Sequence, residues 1–514
     1  MPIQDGVIAG PVFSSISDQI AIHGRFRPND IAFIEGDRRL NWATYNVTAN
    51  RIAQALHAEG VKRGDRVAML VANTCWAHQV LLGIWRAGAV AVPLSPMLTA
   101  ENLSTMLGDA GAQFLFASPE YRALAAAAAG GRSIFTPEPR FLGEDASLPP
   151  RPPVAAPTAT DLAVIIYSSG TTGTPKGIAH NHESRLKFGA YFAAEFRFHY
   201  HSVALSCIPI HSNGAWLSWL PAKWMGATTV ILPTFTAQGY LDVVQRHAPT
   251  HGFAVPTMAA ALLQHPEIER IGLQCFETLI TAGSPMPAAV KQEIRRLSGN
   301  SLYELWGLTE GVATIICPED MATRPDMVGR PMLGCDIRLI DGEDRDVTFQ
   351  SAGEIVGYSA AMMTGYWNRT DANREVVWHD ENGLAYIRTG DIGEFDAEGF
   401  LTLRGRKKDM IISGGLNVYP VDIESALLAH EGVAEVVVFG IEDARWGEVP
   451  VALVRGRDSL EIDALAILEW ANRRLAKHQR LKDLRLWPRE FPRNTMGKVL
   501  KNELRSEYLS QAPH

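Results

Sequence analysis

The chain has 514 residues, a length that predicts roughly two to four domains because a single hydrophobic core rarely grows that large. Its hydrophobic and charged fractions, 46% and 20%, are typical of soluble globular proteins. The formal charge of −8 argues against a basic nucleic-acid-binding surface. We therefore expect no nucleic-acid partner.

The cysteines and the chain ends bear on location. The 5 cysteines show no metal-ligand spacing, which favours a reducing, cytoplasmic compartment. Residues 1–20 lack the basic and apolar segments of a signal peptide, and the final Ala-Pro-His is not a peroxisomal signal. No apolar stretch reaches the length of a membrane-spanning helix, so we expect no membrane span.

Apolar periodicity in the first 160 residues predicts helices and buried strands. Residues 41–60 have the spacing of an amphipathic helix. Beyond it, a helix at 76–86 lies between buried strands at 67–71 and 89–94, an alternation typical of βαβ units with parallel strands. The alanine-rich residues 123–129 favour helix, and the proline-rich residues 148–158 favour an extended connector.

Further α/β alternation follows before the pattern changes. Strands are predicted at 202–208, 228–232, 251–255 and 278–282. Residues 335–405 show short alternating strands with turn signals, which predicts a small antiparallel sheet or barrel. From residue 409 a mixed α+β pattern returns. We predict an α/β protein with a large N-terminal domain of two α/β subdomains plus a small β-barrel-like sheet, and a smaller α+β C-terminal domain.

Residues 167–177, Tyr-Ser-Ser-Gly-Thr-Thr-Gly-Thr-Pro-Lys-Gly, are the most informative stretch. Glycines let backbone N–H groups converge on an anion, hydroxyls add donors, and Lys176 adds a compact positive charge. The stretch predicts a polyphosphate site. Pro175 and Gly177 flank the lysine, so this is not the common P-loop, which needs Gly-Lys-Ser/Thr. A flexible surface loop is the alternative.

Other motifs supply matching chemistry. Thr309 can donate to a phosphate, and Glu310 is a hard oxygen ligand suited to Mg²⁺. Asp391 lies in a Gly-Asp turn, where a carboxylate can accept from the two vicinal hydroxyls of a ribose. Lys498 follows a glycine near the end of the chain. Taken singly, each also fits an ordinary surface turn or an exposed lysine.

In this order and at these separations, the motifs resemble the adenylate-forming superfamily of acyl-CoA synthetases, luciferases and peptide-synthetase adenylation domains. The resemblance covers residues 30–506. Residues 183–185, 409–415 and 443–447 are most similar to the aryl-CoA ligases related to 4-chlorobenzoate–CoA ligase.

The resemblance implies that ATP activates a small-molecule carboxylic acid as its adenylate, with release of pyrophosphate, and that coenzyme A displaces AMP. The residues implied in holding the ATP phosphates are Ser169, Thr171, Thr172 and Lys176. Those implied at the adenine are Gly283, Ser284, Trp306 and Gly307, and those implied at the ribose are Asp391 and Arg406. Thr309 would contact the α-phosphate, Glu310 would hold Mg²⁺, and Lys498 would bridge the α-phosphate and the attacking carboxylate.

The resemblance also implies domain rotation between the two half-reactions. An N-terminal domain at 1–405 and a mobile C-terminal domain at 410–514 would be joined by a hinge at 406–409 containing Lys408. The residues implied at coenzyme A are Gly414, Gly415, Trp446, Arg480 and Lys482.

The acyl pocket is implied to contain Phe188, Cys207, His211, Ser212, Asn213, Phe253, Ala282, Leu305 and Gly307. These side chains suggest an aromatic or other apolar acid, with Asn213 suited to a ring hydroxyl. His211 matches a gate beside the substrate carboxylate, although a core histidine is the simpler interpretation. A short- or medium-chain aliphatic acid and a carrier-protein acceptor remain alternatives.

Two other functional classes are kept open. A P-loop phosphotransferase would form ADP, and a nucleotide-binding relative without activity would turn nothing over. The context Pro-x₄-Gly-Lys498 resembles that of acetylated lysines in bacterial acyl-CoA synthetases, so a lysine acetyltransferase and a deacetylase are expected partners. The sequence does not fix the oligomeric state, and a homodimer is kept as an expectation.

Overall fold

The computed structural model describes residues 14–167, 176–414, 416–457, 462–493 and 499–510. The chain divides into two compact units. The first comprises Met1–Thr323, Pro331–Cys335 and Tyr358–Glu375, and the second comprises Arg324–Arg330, Asp336–Gly357 and Val376–His514. The fold is mixed α/β, as predicted. The boundary at residue 405 and the hinge at 406–409 stay predictions.

The helices, numbered in chain order, are α1 Ile16–Phe26, α2 Trp42–Ala58, α3 Cys75–Arg86, α4 Ala100–Ala110, α5 Arg122–Ala128, α6 His182–Glu195, α7 Trp216–Met225, α8 Ala237–His247, α9 Pro256–Leu263, α10 Ile268–Ile271, α11 Ala288–Leu297, α12 Pro318–Met321, α13 Thr370–Glu375, α14 Pro420–Leu428, α15 Ala464–Asn472 and α16 Lys501–Ser510. Short 3₁₀ turns lie at Pro119–Tyr121, Asn213–Ala215, Lys407–Asp409 and Lys477–Gln479. No helix of the described chain is long and apolar enough to cross a membrane.

The strands are β1 Ile31–Glu35, β2 Arg38–Asn41, β3 Arg66–Leu70, β4 Val90–Pro93, β5 Phe114–Ala117, β6 Ser133–Phe135, β7 Leu162–Tyr167, β8 Gly177–Asn181, β9 Val203–Ser206, β10 Thr228–Ile231, β11 His251–Phe253, β12 Thr278–Ala282, β13 Leu302–Gly307, β14 Ala313–Ile316, β15 Arg330–Pro331, β16 Cys335–Ile340, β17 Gly353–Ser359, β18 Gly365–Tyr366, β19 Val377–His379, β20 Ala385–Phe395, β21 Leu401–Arg406, β22 Ile411–Ser413, β23 Leu416–Val418, β24 Val433–Asp443, β25 Gly447–Gly456 and β26 Asp483–Leu486.

Two sheets form the framework of the first unit. One has the order β18-β8-β7-β4-β3-β5-β6, in which β3 and β4 are parallel, as predicted. The other runs β14-β13-β12-β11-β9-β10-β1-β2, and its strands β9 to β13 are parallel to one another. The predicted strands at 202–208, 228–232, 251–255 and 278–282 correspond to β9, β10, β11 and β12. Their carboxyl ends therefore meet at one edge of the sheet, where α/β proteins usually bind ligands.

Local capping fixes where the key helices begin. The side chain of Asn41 accepts from Thr44 N at the start of α2, and Thr74 caps α3 in the same way. Asn181 ends β8 and its side chain accepts from Ser184 N at 2.8 Å, so α6 starts directly after the strand. Such caps satisfy backbone donors that the first turn leaves unpaired. The cap on α6 sets the direction of the side chains that follow it.

The second unit contains two smaller sheets. The antiparallel sheet predicted for residues 335–405 is present. Strands β17, β19 and β21 each pair with part of the long strand β20 in antiparallel register. The C-terminal residues form the predicted α+β arrangement, in which β24 and β25 make a long antiparallel pair and β26 lies parallel to β25.

A buried ion pair joins α11 to β13. Lys291 Nζ lies 2.5 Å from Glu304 Oε2, and both side chains are less than 10% exposed. Removing one member leaves the other charge buried without its partner, which typically costs about 3–5 kcal/mol. Because β13 leads directly to Thr309 and Glu310, this pair also fixes the strand that carries the candidate site.

We expect Lys291→Met to lower the stability of the protein by about 3–5 kcal/mol, since Glu304 keeps its charge in the core. Thermal and urea unfolding followed by circular dichroism will measure the loss. Lys62→Met, at an exposed lysine, is the control and should change little. The double variant Lys291→Met/Glu304→Leu should recover part of the loss. A single variant as stable as the wild type would contradict the prediction.

Candidate active site

The predicted phosphate lysine and metal ligand lie close together in the first unit. Lys176 Nζ is 4.9 Å from the centre of the Tyr366 ring, and the Tyr366 hydroxyl donates to Glu310 Oε1 at 2.9 Å. The Met363 N–H donates to the Glu310 carbonyl at 2.7 Å. The residues expected to bind the β/γ-phosphates and Mg²⁺ are thus linked through one aromatic side chain.

Several predicted residues fall outside the described chain. They are Ser169, Thr171, Thr172, Gly415 and Lys498. The structure describes the two strands that flank the glycine-rich stretch. Strands β7 and β8 are antiparallel, and Tyr167 pairs with Gly177 on its two sides.

The turn after β13 presents Thr309 and Glu310. Gly311 follows with φ of +107°, and a Cβ at this position would lie 2.4 Å from Met362 Cα. Only glycine tolerates both this backbone conformation and this close approach. The Thr-Glu turn is therefore held against the backbone of residues 361–363, which restricts the direction of the Glu310 carboxylate.

The residues predicted at the adenine lie at two adjacent strand ends. Gly283 and Ser284 follow β12 directly, and Trp306 and Gly307 end β13, which pairs with β12 in parallel register. Trp306 is partly exposed and Gly307 is exposed. The four residues predicted at the adenine therefore lie at or just after the carboxyl ends of two adjacent parallel strands.

Most predicted acyl-pocket residues follow the carboxyl ends of parallel strands. Cys207 follows β9, Phe253 ends β11 and Ala282 ends β12, where it pairs with Leu305 of β13. All four side chains are buried, and Cys207 Sγ donates to the Phe253 carbonyl at 3.3 Å. These four buried side chains, called the buried wall below, therefore lie near the carboxyl ends of neighbouring parallel strands, although they are up to about a hundred positions apart in sequence.

Arg185, to which no sequence motif assigned a role, contacts two other residues predicted in the acyl pocket. It is fully buried in α6, and its Nη1 donates to Asn213 Oδ1 at 3.2 Å while its Nη2 donates to His180 Nδ1 at 3.0 Å. Its guanidinium stacks 4.6 Å from the centre of the Phe188 ring. Two predicted pocket residues, Phe188 and Asn213, are therefore brought together by this arginine. The run Glu-Ser-Arg at 183–185 was the available signal.

The histidines near this region are uncharged at neutral pH. Burial lowers the pKa of His211 to about 4. Burial and the Arg185 charge lower the pKa of His180 well below its ordinary value. Because arginine only donates hydrogen bonds, His180 Nδ1 must accept, and its proton is on Nε2. At neutral pH His211 is therefore an uncharged imidazole.

The second unit holds the predicted ribose residues as a cross-strand pair. The Gly-Asp turn predicted at Asp391 is wrong, because this residue lies inside strand β20, which pairs with β21. Asp391 faces Arg406 of β21, and Arg406 Nε lies 2.6 Å from Asp391 Oδ1. The Asp391 N–H donates to Thr389 Oγ1 at 3.0 Å. This pairing orients a nearly buried carboxylate. Lys408 lies just beyond, in the exposed 3₁₀ turn Lys407–Asp409.

Three of the residues predicted at coenzyme A, Gly414, Trp446 and Lys482, lie close together in the second unit. The Gly414 N–H donates to the Trp446 carbonyl at 2.8 Å, and the backbone of Gly414 lies against the indole, which is 44% exposed. Lys482 Nζ lies 2.7 Å from Asp443 Oδ2, and Asp443 Oδ1 accepts from the Trp446 N–H at 3.1 Å. Arg480 is exposed on the same unit.

Asp443 has a structural role that the sequence motifs did not indicate. Its carboxylate joins Lys482 to the loop that carries Trp446, and these hydrogen bonds lower the pKa of Asp443 to about 2. The Asp443 carboxylate is therefore charged at neutral pH, as these hydrogen bonds require. The run Asp-Ala-Arg-Trp-Gly at 443–447 gave a family likeness but not this function.

A single carboxylate such as Glu310 would suit a magnesium ion whose other ligands are phosphate oxygens and water. No group of three or more histidine, cysteine or acidic side chains suited to a metal exists among the described residues. Mg²⁺ commonly binds one or two carboxylates together with phosphate oxygens and water. Tyr366 occupies Oε1 of Glu310, which leaves Oε2 as the candidate protein ligand.

We expect the stability of the protein to fall as pH decreases from about 6.5 toward 5. Burial lowers the pKa of His78 to about 3 and that of His182, His211 and His251 to about 4. In the unfolded chain these histidines take up protons as the pH falls through about 6.5, whereas in the native protein they stay uncharged. The free energy of unfolding is therefore full above this pH and decreases below it. Thermal unfolding between pH 7.5 and 5 would reveal the slope.

For comparison, His57→Gln changes an exposed histidine and should leave that slope unaltered. A transition temperature that stays flat or rises between pH 6.5 and 5 would contradict the expectation.

Comparison with known proteins gives family matches in both parts of the chain. Residues 21–367 match the AMP-binding enzyme family, and residues 422–498 match the AMP-binding enzyme C-terminal domain. Long-chain-fatty-acid–CoA ligase FadD13 of Mycobacterium tuberculosis is 33% identical over 489 residues, covering 93% of this chain and 95% of that protein. Feruloyl-CoA synthase of Amycolatopsis is 32% identical over 488 residues, covering 94% and 97%.

Among solved structures, ATP-bound MatB from Rhodopseudomonas palustris superposes with a TM-score of 0.88 at 28% identity, covering 96% of this chain and 99% of that one. The family match extends over more than half of the sequence, and both relatives align along nearly all of it. The chain therefore belongs to the AMP-binding enzymes, the adenylate-forming superfamily that its motifs resemble.

Proposed function

We propose that this chain, an acid–thiol ligase of the AMP-binding family, converts an aromatic or other apolar carboxylic acid into its coenzyme A thioester through an acyl-adenylate. The observation that carries the proposal is the buried wall of Cys207, Phe253, Ala282 and Leu305 at the carboxyl ends of parallel strands. The Thr-Glu turn after β13 follows directly from the same edge.

The chemistry proceeds in two displacements. A carboxylate oxygen attacks the α-phosphorus of ATP, the bond to the bridging oxygen breaks, and pyrophosphate leaves. The thiol of coenzyme A then attacks the acyl carbon, loses its proton, and AMP departs. Both anions of the first step repel each other, so fixed cations and N–H donors lower its barrier. We assign Lys176 to the β/γ-phosphates, Thr309 to the α-phosphate and Lys498 to the reacting oxygens.

Magnesium supplies charge neutralisation at the phosphates when it is bound, and Glu310 is its proposed ligand. Within the second unit, the Asp391 carboxylate has one oxygen paired with Arg406. A carboxylate held in this way is suited to accept hydrogen bonds from the vicinal hydroxyls of a ribose.

The acyl substrate is assigned from the polarity of the pocket wall. Arg185 donates to Asn213 Oδ1, so the Asn213 amide nitrogen is the group left to donate. An acceptor on an aromatic ring, such as a hydroxyl or methoxy oxygen, would suit that donor. The sulfur of Cys207 is directed to the Phe253 carbonyl, so it adds no second polar group.

Other substrates and acceptors are outcomes of the test. One relative is named for long-chain fatty acids and another for a ferulic acid derivative, so an aliphatic acid is the main alternative. An apolar pocket separates homologous acids by only about 1–3 kcal/mol per methylene, which favours a range of related acids. Loading of a carrier protein instead of coenzyme A is the second alternative.

Three further expectations extend the proposal. Acetylation of Lys498 would remove the charge assigned to the adenylation step, and a deacetylase would restore it. The enzyme is assigned to the cytoplasm, where ATP and coenzyme A are both available. A homodimer is the expected assembly.

The first test is acid-dependent release of pyrophosphate with Mg²⁺, ATP and coenzyme A across benzoates, hydroxycinnamates and short- to medium-chain fatty acids. We expect AMP and pyrophosphate as products, with the highest kcat/KM among aromatic acids bearing a ring oxygen. Glu310→Gln should reduce the rate by about 10² because it weakens charge stabilisation at the phosphates.

Three outcomes would argue against the assignment in different ways. ADP as the product would indicate a phosphotransferase, and the absence of turnover with every acid would indicate a nucleotide-binding protein. Activity confined to aliphatic acids would keep the reaction and overturn the assigned pocket.

We expect Gly414→Ala to impair thioester formation much more than adenylate formation. Gly414 has φ of +58°, and a Cβ there would lie 2.8 Å from Trp446 Cε3, so the variant displaces the indole proposed to contact coenzyme A. Acid-dependent exchange of pyrophosphate into ATP should stay within about twofold, while thioester formation should fall at least about tenfold, equivalent to about 1.4 kcal/mol.

Gly383→Ala provides a matched control for that variant. Gly383 has φ of +78°, but a Cβ there meets no atom within 4 Å, so it adds backbone strain without a clash. Gly383→Ala should spare both half-reactions. Equal losses of adenylate and thioester formation in Gly414→Ala would show that this glycine has no special role toward the thiol substrate.

A further inference from the structure

Tyr366 lies between two side chains of opposite charge in the first unit. Its hydroxyl donates to Glu310 Oε1 at 2.9 Å, and its ring centre is 4.9 Å from Lys176 Nζ. Neither Lys176 nor Glu310 forms an ion pair with another residue of the described chain. One neutral side chain therefore contacts both the cation and the carboxylate.

The backbone of Tyr366 is fixed from two directions. In β18, Tyr366 pairs with Ile178 of β8, and the next residue, Trp367, donates its N–H to the Gly177 carbonyl at 2.7 Å. The Tyr366 N–H donates to Asn373 Oδ1 at 2.6 Å, and Asn373 Nδ2 donates back to the Tyr366 carbonyl at 2.9 Å. These bonds place the ring next to the strand that begins directly after Lys176.

We propose that Tyr366 is a positioning residue that holds the Glu310 carboxylate ready for the metal and keeps Lys176 from neutralising it. The proposal rests on the proposed function, because that function assigns Glu310 to Mg²⁺ and Lys176 to the phosphates. No sequence motif assigned a role to this tyrosine.

The hydroxyl and the ring make separate contributions. A hydrogen bond to Oε1 fixes the rotation of the carboxylate and leaves Oε2 for a cation, which is how groups behind metal ligands commonly act. The aromatic face attracts the ammonium group of Lys176 without giving it a negative charge. With the ring removed, two flexible side chains of opposite charge could form a direct ion pair, which would occupy both the metal ligand and the phosphate-binding cation.

The two contributions can be separated by two substitutions. Tyr366→Phe removes only the hydroxyl, so we expect the Mg²⁺ concentration for half-maximal adenylation to rise about tenfold, a typical loss for a partner of a metal ligand. The KM for the acid should stay unchanged. Tyr366→Leu removes the ring as well, and we expect the KM for ATP to rise in addition.

A binding measurement gives a readout that does not depend on turnover. Mn²⁺ is titrated into enzyme saturated with a non-hydrolysable ATP analogue and followed by electron paramagnetic resonance. The expected result is weaker Mn²⁺ binding by Tyr366→Phe than by the wild type, about tenfold. Because this assay needs no acid, it tests the tyrosine even if no acid supports pyrophosphate release, an outcome that would count against the proposed function alone.

Tyr508→Phe is the matched control. The hydroxyl of the buried Tyr508 donates to Oδ2 of the partly exposed Asp483 at 2.5 Å, and neither residue belongs to any predicted site. It should lose thermal stability as Tyr366→Phe does but keep the wild-type metal dependence. The proposal is overturned if Tyr366→Phe binds Mn²⁺ as tightly as the wild type. This holds even if the variant has a lower thermal stability than the wild type. Tyr366→Leu with an unchanged KM for ATP would overturn the separating role of the ring.

Discussion

The common direction of β9, β11, β12 and β13 is the constraint on which the candidate site depends. Parallel strands must all end at the same edge, and the residues that follow them are brought together however far apart they lie in sequence. Cys207, Phe253 and Ala282 meet for this reason. The turn that carries Thr309 and Glu310 follows β13 and so lies at the end of one of these strands.

A second principle governs how charge is handled next to that edge. Buried charged groups are costly unless a partner or a hydrogen bond stabilises them. The protein satisfies this in different ways. Lys291 is paired with Glu304, whereas Arg185 is balanced by a neutral histidine, an amide oxygen and aromatic faces. The first arrangement is a closed ion pair, and the second leaves a positive charge beside the proposed substrate.

Much of the fold follows from local sequence patterns, because apolar runs bounded by turn residues define buried strands. Strand β12 has the predicted bounds of 278–282, and the antiparallel sheet at 335–405 is present as predicted, whereas Asp391 lies inside strand β20 and not in the predicted Gly-Asp turn. The role of Tyr366 could not be predicted in this way. Its contact with Glu310 spans 56 residues and depends on the pairing of β18 with β8, which no local pattern specifies.

The state of the cysteines has a consequence for an enzyme that handles a thiol substrate. Burial raises the pKa of Cys75 and Cys207 to about 12 and that of Cys275 and Cys317 to about 11. Disulfide exchange requires a thiolate, so at neutral pH these sulfurs are almost entirely in the unreactive form. Cys207 is both buried and protonated, so it is a poor partner for a mixed disulfide with a small oxidised thiol such as that of coenzyme A.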